Sequence, residues 1–161
     1  MLVDSHCHLS LPDFADEMDE VMERAAAAGV GSMLTICTLL SEFDTVVMLA
    51  SRYTNVFCSV GVHPHEAGGA RDLDAATLIE LAGEPKVVGI GETGLDYHYE
   101  HSAREDQQSS FRAHIAAARE TGLPLIVHSR SADEDTARIL ADETEAGPFP
   151  GLIHCFTGGS E

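Results

Sequence analysis

The chain has 161 residues, with 27 acidic side chains against nine Lys and Arg, which gives a formal net charge of -18 at pH 7. This length permits one domain, and the 44% hydrophobic content is enough to form a core, so a disordered chain is excluded. A basic protein that coats nucleic acid is excluded as well, because Lys86 is the only lysine and no Lys/Arg cluster is present. Aromatic residues make up 6% without Trp, which disfavours an aromatic-rich binding surface.

Short apolar, β-branched segments alternate with helical patterns and begin about every 30 residues, the size of a strand–helix unit. The predicted strands are Leu2–His6, Val30–Cys37, Val56–Val62, Val87–Glu92, Leu123–His128 and Leu152–Cys155. Five helices are predicted between the strands, three of them opening on capping boxes that begin at Ser41, Ser102 and Ser131. Glycines such as Gly122 stand where helices are expected to end.

Near-continuous apolar strands that alternate with helices predict a parallel sheet covered by helices. A doubly wound sheet would place a glycine-rich phosphate loop after an early strand, and the first strand is instead followed by His6–Ser10. The segment Gly89–Gly94 matches G-x-G-x-x-G, but it begins inside a strand and contains Glu92, which suits a pyrophosphate badly. We therefore predict an α/β fold with about six strands and five helices in this chain, either a smaller open sheet or part of a TIM-like (β/α)8 barrel. The barrel is favoured, because no helix pattern follows the last strand to cover it.

A complete barrel of this type takes about 250 residues. Residues 1–161 are therefore expected to form a single but incomplete domain, the N-terminal part of a barrel. The first residues carry neither the basic nor the apolar region of a signal peptide, and no apolar stretch is long enough for a membrane span. The four cysteines form no C-x-x-C pair, so we expect buried, reduced thiols in a cytoplasmic protein without membrane contact.

Histidines concentrate at the C-terminal ends of the predicted strands, the edge where parallel α/β folds build their active sites. The strand-end residues are His6, His8, His63, Glu92, His128 and His154. His6 and His8 share one face of an extended strand, so their imidazoles can ligate a single metal ion. The alternative is a pair of core histidines bonded to their neighbours. Asp4 lies on the same face, where it either orients a ligand or accepts from nearby backbone groups.

His63 and His65 repeat this same-face spacing on the third strand, and we expect them to contact substrate or support the ligands, with a purely structural role as the alternative. Arg130, near the end of the fifth strand, is a candidate clamp for phosphate or carboxylate. The alternative for Arg130 is a surface ion pair with Asp133 or Glu134.

Five other polar residues follow the fourth strand. Asp96 and Tyr97 lie in a predicted loop and are candidates for facing the substrate, with simple solvation as the alternative. His98, His101 and His114 are predicted to face solvent, because they lie in a loop or on a helix away from the strand ends.

Five segments resemble successive signature blocks of the TatD family of metal-dependent hydrolases. The blocks are Asp4–Leu9, Gly61–His65, Gly89–Tyr97, Pro124–Arg130 and His154–Gly158. The resemblance implies a TIM-like barrel with a binuclear divalent-metal centre (Zn, Mg or Mn) and deoxyribonuclease activity. It also implies that His6 and His8 bind one metal, that Glu92 bridges the two, and that His128 and His154 bind the other. Family members carry a further metal-binding aspartate after the seventh strand, beyond the end of this chain.

The leading functional prediction is therefore a divalent-metal-dependent phosphodiesterase that cleaves DNA with a water activated by two metals. Glu92, His63, His65 and Arg130 are its predicted catalytic residues. So acidic a chain repels a long duplex, which favours single-stranded or frayed DNA ends as the substrate.

Two alternatives stay open: a metal-dependent amidase or esterase, such as an aminoacyl-tRNA deacylase, and an inactive truncated fragment. A lysine-bridged metal centre is disfavoured, because Lys86 lies at the opposite end of the fourth strand.

Overall fold

Six strands and five α-helices alternate along residues 1–156, the part of the chain that the computed structural model describes. The strands are β1 (Leu2–Cys7), β2 (Val30–Thr35), β3 (Val56–Val60), β4 (Val87–Asp96), β5 (Leu125–Arg130) and β6 (Gly151–Ile153). The helices are α1 (Met18–Ala27), α2 (Phe43–Arg52), α3 (Ala75–Leu81), α4 (Arg104–Thr121) and α5 (Asp133–Ala146). Residues 157 and 158, which end the fifth TatD-like block, lie outside the described residues.

All neighbouring strands are parallel, and the strand order in the sheet is the order in the sequence, β1 to β6. A flat sheet with strands about 4.8 Å apart would separate the first and sixth strands by about 24 Å. The rings of His6, on β1, and His154, just after β6, instead stack with centroids 4.0 Å apart. The sheet is therefore strongly curved, and the predicted barrel-type α/β fold is confirmed.

The core lies between the curved sheet and its helices. The longest helix, α4, contacts β4 and buries Phe111, Ile115 and Ala118 completely. Each large apolar side chain buried in this way contributes about 1.5–3 kcal/mol to stability. This packing holds β4 at the middle of the sheet, with Ile90 and Leu95 inaccessible to solvent.

Glycines allow β4 to approach β5 closely. Gly91 and Gly94 have φ angles of +135° and +130°, where a side chain is strained. A Cβ at Gly94 would lie 2.1 Å from the carbonyl oxygen of His128, and one at Gly91 would lie 2.6 Å from that of Ile126. The Gly89–Gly94 motif therefore serves strand packing.

The C-terminal ends of all six predicted strands differ from the structure, and those of β4 and β5 affect the site. β4 was expected to end at Glu92, but it continues to Asp96 after a register shift between Ile90 and Thr93. β5 begins and ends two residues later than predicted, so that Arg130 is its last residue. Asp96 and Arg130 therefore belong to the sheet, and their positions are set by strand pairing.

The three predicted capping boxes are wrong, since the helices that follow them have no side-chain cap. Ser102 instead accepts a hydrogen bond from the backbone N–H of Gly68 and donates one to the carbonyl oxygen of His65. Among the described α-helices, α3 is capped by a side chain, through Asp74. Gly122 ends α4 in the left-handed conformation, as predicted.

The cysteines are free, and Cys37 and Cys58 are buried as expected. The expectation is wrong for Cys155, two residues after β6, which is exposed because no described element covers this edge of the sheet. The cytoplasmic location inferred from reduced thiols stays a prediction. Within residues 1–156, no helix combines the length and the hydropathy that crossing a membrane requires.

Candidate metal centre

One buried carboxylate, that of Glu92 on β4, lies among imidazoles at the C-terminal ends of the strands. Its Oε2 atom lies 3.3 Å from Nε2 of His6 on β1 and 4.0 Å from Nε2 of His8. Ligand atoms of these three residues fall within 4.8 Å of one another, which is close enough to hold one metal ion.

The other carboxylate oxygen of Glu92, Oε1, faces a second group of imidazoles. It lies 2.6 Å from Nε2 of His154, 3.1 Å from Nδ1 of His128 and 3.7 Å from Nε2 of His63. Nδ1 of His128 and Nε2 of His154 are themselves 3.3 Å apart. The structure therefore gathers the four predicted histidine ligands around the carboxylate of the fifth predicted ligand, Glu92, and places His63 beside them.

The imidazole ring of His6 lacks hydrogen-bond partners among the described residues. Its Nδ1 and Nε2 atoms are both buried, and within residues 1–156 neither makes a hydrogen bond. A buried polar atom without a partner costs about 1–3 kcal/mol. A cation held between Nε2 of His6 and the Glu92 carboxylate would give that nitrogen a partner, so the donor set fits a metal ion.

Burial and hydrogen bonding set the charges of these groups. Burial alone would raise the pKa of Glu92, but the imidazoles of His128, His154, His6 and His63 around it outweigh burial and hold that pKa well below its usual range. Burial lowers the pKa of His63 to about 4 and also lowers the pKa of His8. At neutral pH the centre therefore holds an ionised Glu92 beside neutral His8 and His63, and a neutral imidazole is the form that ligates a cation.

Hydrogen bonds also fix which ring nitrogens are free. Burial alone would lower the pKa of His128, but Glu92, 3.1 Å from Nδ1, and Asp96, 3.1 Å from Nε2, raise that pKa. When Nε2 keeps its proton on Asp96, Nδ1 is the nitrogen available to a metal ion. Nδ1 of His63 accepts the backbone N–H of His65 at 3.2 Å, so neutral His63 carries its proton on Nε2. His63 is therefore arranged as a hydrogen-bond donor toward the cavity.

Asp96 is a buried member of the site that the sequence placed in a loop. Its Oδ2 also binds Nε2 of His65 at 2.8 Å, while its Oδ1 accepts backbone N–H groups of His98 and Tyr99. Burial alone would raise the pKa of Asp96, but these hydrogen bonds lower it to about 2. The signal available in the sequence was its spacing of four residues from Glu92, which keeps both on one face of a strand.

Arg130 and Tyr97 lie farther from the carboxylate. Arg130 lines a cavity shared with His128 and His154, and its guanidinium carbon lies 4.7 Å from the ring centroid of Tyr99. Within residues 1–156, Arg130 forms no ion pair with Asp133 or Glu134, the alternative considered from the sequence. The Tyr97 hydroxyl donates to a carboxylate of α5 instead of facing the centre.

The four remaining polar residues considered in the sequence analysis do not contact the Glu92 carboxylate. Asp4 is exposed and accepts the backbone N–H of His6, so it contacts the ligand's main chain and not its ring. His98 and His101 are exposed, as predicted. The prediction for His114 is wrong: it is fully buried in α4, accepts the backbone N–H of Val62 through Nε2, and donates from Nδ1 to the Ser110 carbonyl.

Known proteins are similar to this chain in both sequence and fold. YabD of Bacillus subtilis strain 168, an uncharacterized metal-dependent hydrolase, is 37% identical over 161 residues, which cover 100% of this chain and 63% of YabD. The 3'-5' ssDNA/RNA exonuclease TatD of Escherichia fergusonii is 36% identical over 161 residues, which cover 99% of this chain and 61% of TatD. The crystal structure of YJJV, a TatD homolog from Escherichia coli K12, superposes with a TM-score of 0.82 at 30% identity, over 98% of this chain and 61% of YJJV.

The chain thus spans about three-fifths of the length of these relatives, with 63%, 61% and 61% of each covered. The sequence model of the TatD related DNase family matches residues 3–161. This match includes every residue of the Glu92 centre and all of the strands except the first residue of β1. The chain belongs to the TatD related DNase family.

Proposed function

We propose that the protein is a divalent-metal-dependent hydrolase that cleaves phosphodiester bonds in DNA. The observation that carries this proposal is a buried carboxylate with separate groups of imidazoles on its two oxygens. We assign one ion to His6, His8 and Glu92. We assign the second ion to Glu92, His128 and His154, with Glu92 shared between them.

The donor set gives some guidance on the ions. Imidazole nitrogens with one carboxylate suit Zn²⁺ better than Mg²⁺ or Mn²⁺, which prefer oxygen ligands. Two divalent ions supply positive charge and Lewis acidity, which polarise a phosphoryl group and lower the pKa of water at the site.

The side chains of this chain position the phosphodiester. His63, with its proton on Nε2, donates a hydrogen bond to a phosphate oxygen in the cavity. His65 is held by Asp96 on the same cavity wall, where it contacts the substrate. Arg130 at the rim supplies a positive charge for a neighbouring phosphate.

Single-stranded or frayed ends are the DNA that fits this surface. The chain carries a net charge of -18, and seven of its eight arginines pair with carboxylates. A long duplex lying across the surface would therefore meet mostly negative charge. An end that reaches the centre needs few cationic contacts, so binding should depend only weakly on salt. The exonuclease name of one relative agrees with an end-directed activity in that protein.

The test is a panel of substrates in the presence of Mn²⁺, Zn²⁺ or Mg²⁺: end-labelled single-stranded DNA, linear duplex, closed circular duplex, RNA and aminoacyl-tRNA. We expect single strands to be degraded fastest and closed circles to stay intact. Glu92→Gln should abolish the activity, whereas Glu66→Gln, at an exposed residue of the same cavity wall, should preserve it.

Two results would contradict the proposal. Efficient nicking of closed circles with a steep salt dependence would exclude action at ends. Hydrolysis of aminoacyl-tRNA without cleavage of any nucleic acid would favour the deacylase, which has the same metal centre but another scissile bond.

A further inference from the structure

Three aromatic rings and one guanidinium lie together beside the metal centre, and we name them the rim cluster: His65, which is half-buried, and the exposed Tyr99, His101 and Arg130. Tyr99 is 50% exposed. Its ring centroid lies 5.6 Å from those of both His65 and His101, and the Arg130 guanidinium carbon lies 4.7 Å above it. The low aromatic content of the chain disfavours an aromatic binding surface. The structure shows, however, that several of its aromatic rings lie together beside the metal centre.

The rim cluster is attached to the candidate metal centre through one residue. Asp96 accepts the backbone N–H of Tyr99 at 2.9 Å through Oδ1. Through Oδ2 it binds both His65 and His128, the latter a candidate ligand. The backbone of Tyr99 is therefore tied to the residue that also binds a candidate ligand, which keeps its ring near the metal site.

Arg130 differs from the other arginines in its surroundings. The other seven form ion pairs with Asp or Glu, whereas Arg130 forms none within residues 1–156. In a chain with 27 acidic residues, this leaves a positive charge at the rim that is free to meet an anion. Its exposed guanidinium lies over an aromatic ring, an arrangement that also receives stacked bases.

We propose that the rim cluster binds the nucleotide adjacent to the scissile phosphate, with Tyr99 and His101 stacking on its base and Arg130 contacting its phosphate. This inference rests on the proposed function, because it names how that site holds a single strand. Every base offers a π-face, so the cluster accepts any base in sequence but requires that the base be unpaired. The rim cluster thus gives a physical reason for a preference for single strands.

The test compares a single-stranded oligodeoxynucleotide with an abasic strand of the same length, using KM and kcat for cleavage and anisotropy for binding. We expect Tyr99→Leu to weaken binding of the normal strand about tenfold, the usual effect of one lost base stack, with the abasic strand unchanged. Tyr99→Phe, which keeps the ring, should stay within about twofold of the wild type. Arg130→Gln should weaken both strands alike and reduce the salt dependence.

The outcomes separate this inference from the proposed function. If the wild type cleaves both strands with equal KM and Tyr99→Leu changes nothing, the rim cluster does not bind bases although the hydrolase proposal stands. If the wild type cleaves neither strand but binds the normal one more tightly, in a way that depends on Tyr99, the cluster stands and the proposed function fails. Equal losses on both strands in Tyr99→Leu would show a general disturbance and overturn base stacking.

Discussion

Each candidate metal ligand could be identified in the sequence from its position at the end of a predicted strand. His6, His128 and His154 follow apolar segments at the positions where parallel strands end, and Glu92 follows a fourth such segment. What the sequence did not provide is which nitrogen each ring presents, because that depends on partners distant in sequence. Asp96, which orients the ring of His128, was assigned to a loop. The roles of these residues as ligands stay predictions.

Asp96→Asn tests the orienting role. The amide oxygen can keep the backbone hydrogen bonds of Tyr99, but the amide NH2 cannot accept the Nε2–H of His128 or His65. We expect metal affinity and activity to fall about 10–100-fold while the fold is retained. Metal titration followed by calorimetry measures this effect. Asp106→Asn, on α4, is the matched control, and equal affinities in the two variants would contradict the role.

Elements were predicted correctly where periodicity is strong, and incorrectly where side chains have distant partners. The six strands and five helices follow from apolar segments and helical spacing. β4 continues past Glu92 because Gly91 and Gly94 pack against β5, although glycines of this kind resemble a loop in sequence. The capping box at Ser102 fails because this hydroxyl is bound to another segment. These contacts join residues that are distant in sequence, so a local sequence pattern cannot predict them.

Helix α4 contains a further example, His114. It lies three residues after Phe111 and one before Ile115, on the face that the core buries, so the helical period could have predicted its burial. The histidine joins α4 to the end of β3 by accepting the N–H of Val62, one residue before His63. The position of His63 therefore depends on a helix that contributes no residue to the metal centre.

The burial of His114 predicts a pH dependence of stability. Desolvation lowers its pKa from 6.5 to about 4 in the folded chain, so between these values the unfolded chain binds the extra proton. Stability should therefore fall as the pH drops from about 6.5 to 4, by about 3 kcal/mol from this residue. Urea unfolding at several pH values measures the loss. His114→Gln, which accepts a hydrogen bond but does not titrate, should show a smaller loss, and identical pH profiles would contradict the account.

At the scale of the whole molecule, the two edge strands of the curved sheet expose apolar residues. Leu2 and Val3 on β1 are 62% and 63% exposed, and Leu152, Ile153 and Phe156 are exposed at the other edge. Open strand edges and apolar patches promote association with other chains. The net charge of -18 opposes association. This repulsion is spread over the whole molecule, whereas the apolar residues are concentrated at the two edges, where they can contact another chain.

We therefore predict that the 161-residue chain in isolation self-associates through these edges. Size-exclusion chromatography with light scattering should show oligomers at micromolar concentration. Val3→Lys combined with Ile153→Lys should shift the chain toward monomer, whereas Met48→Lys, at an equally exposed apolar residue of α2, should not. A wild-type chain that stays monomeric and unfolds in one sharp transition would show that the edges do not govern its behaviour.

The most direct test of the central claim is the metal content of Glu92→Gln. Removing the charge that is shared by both imidazole groups should strongly reduce the divalent ions retained after dialysis, as counted by elemental analysis. Glu66→Gln, the same change at an exposed residue of the same cavity, should retain the wild-type content. We predict loss of metal and of phosphodiester cleavage together in Glu92→Gln. Wild-type metal content in Glu92→Gln would contradict the assignment of this carboxylate as the centre of the site.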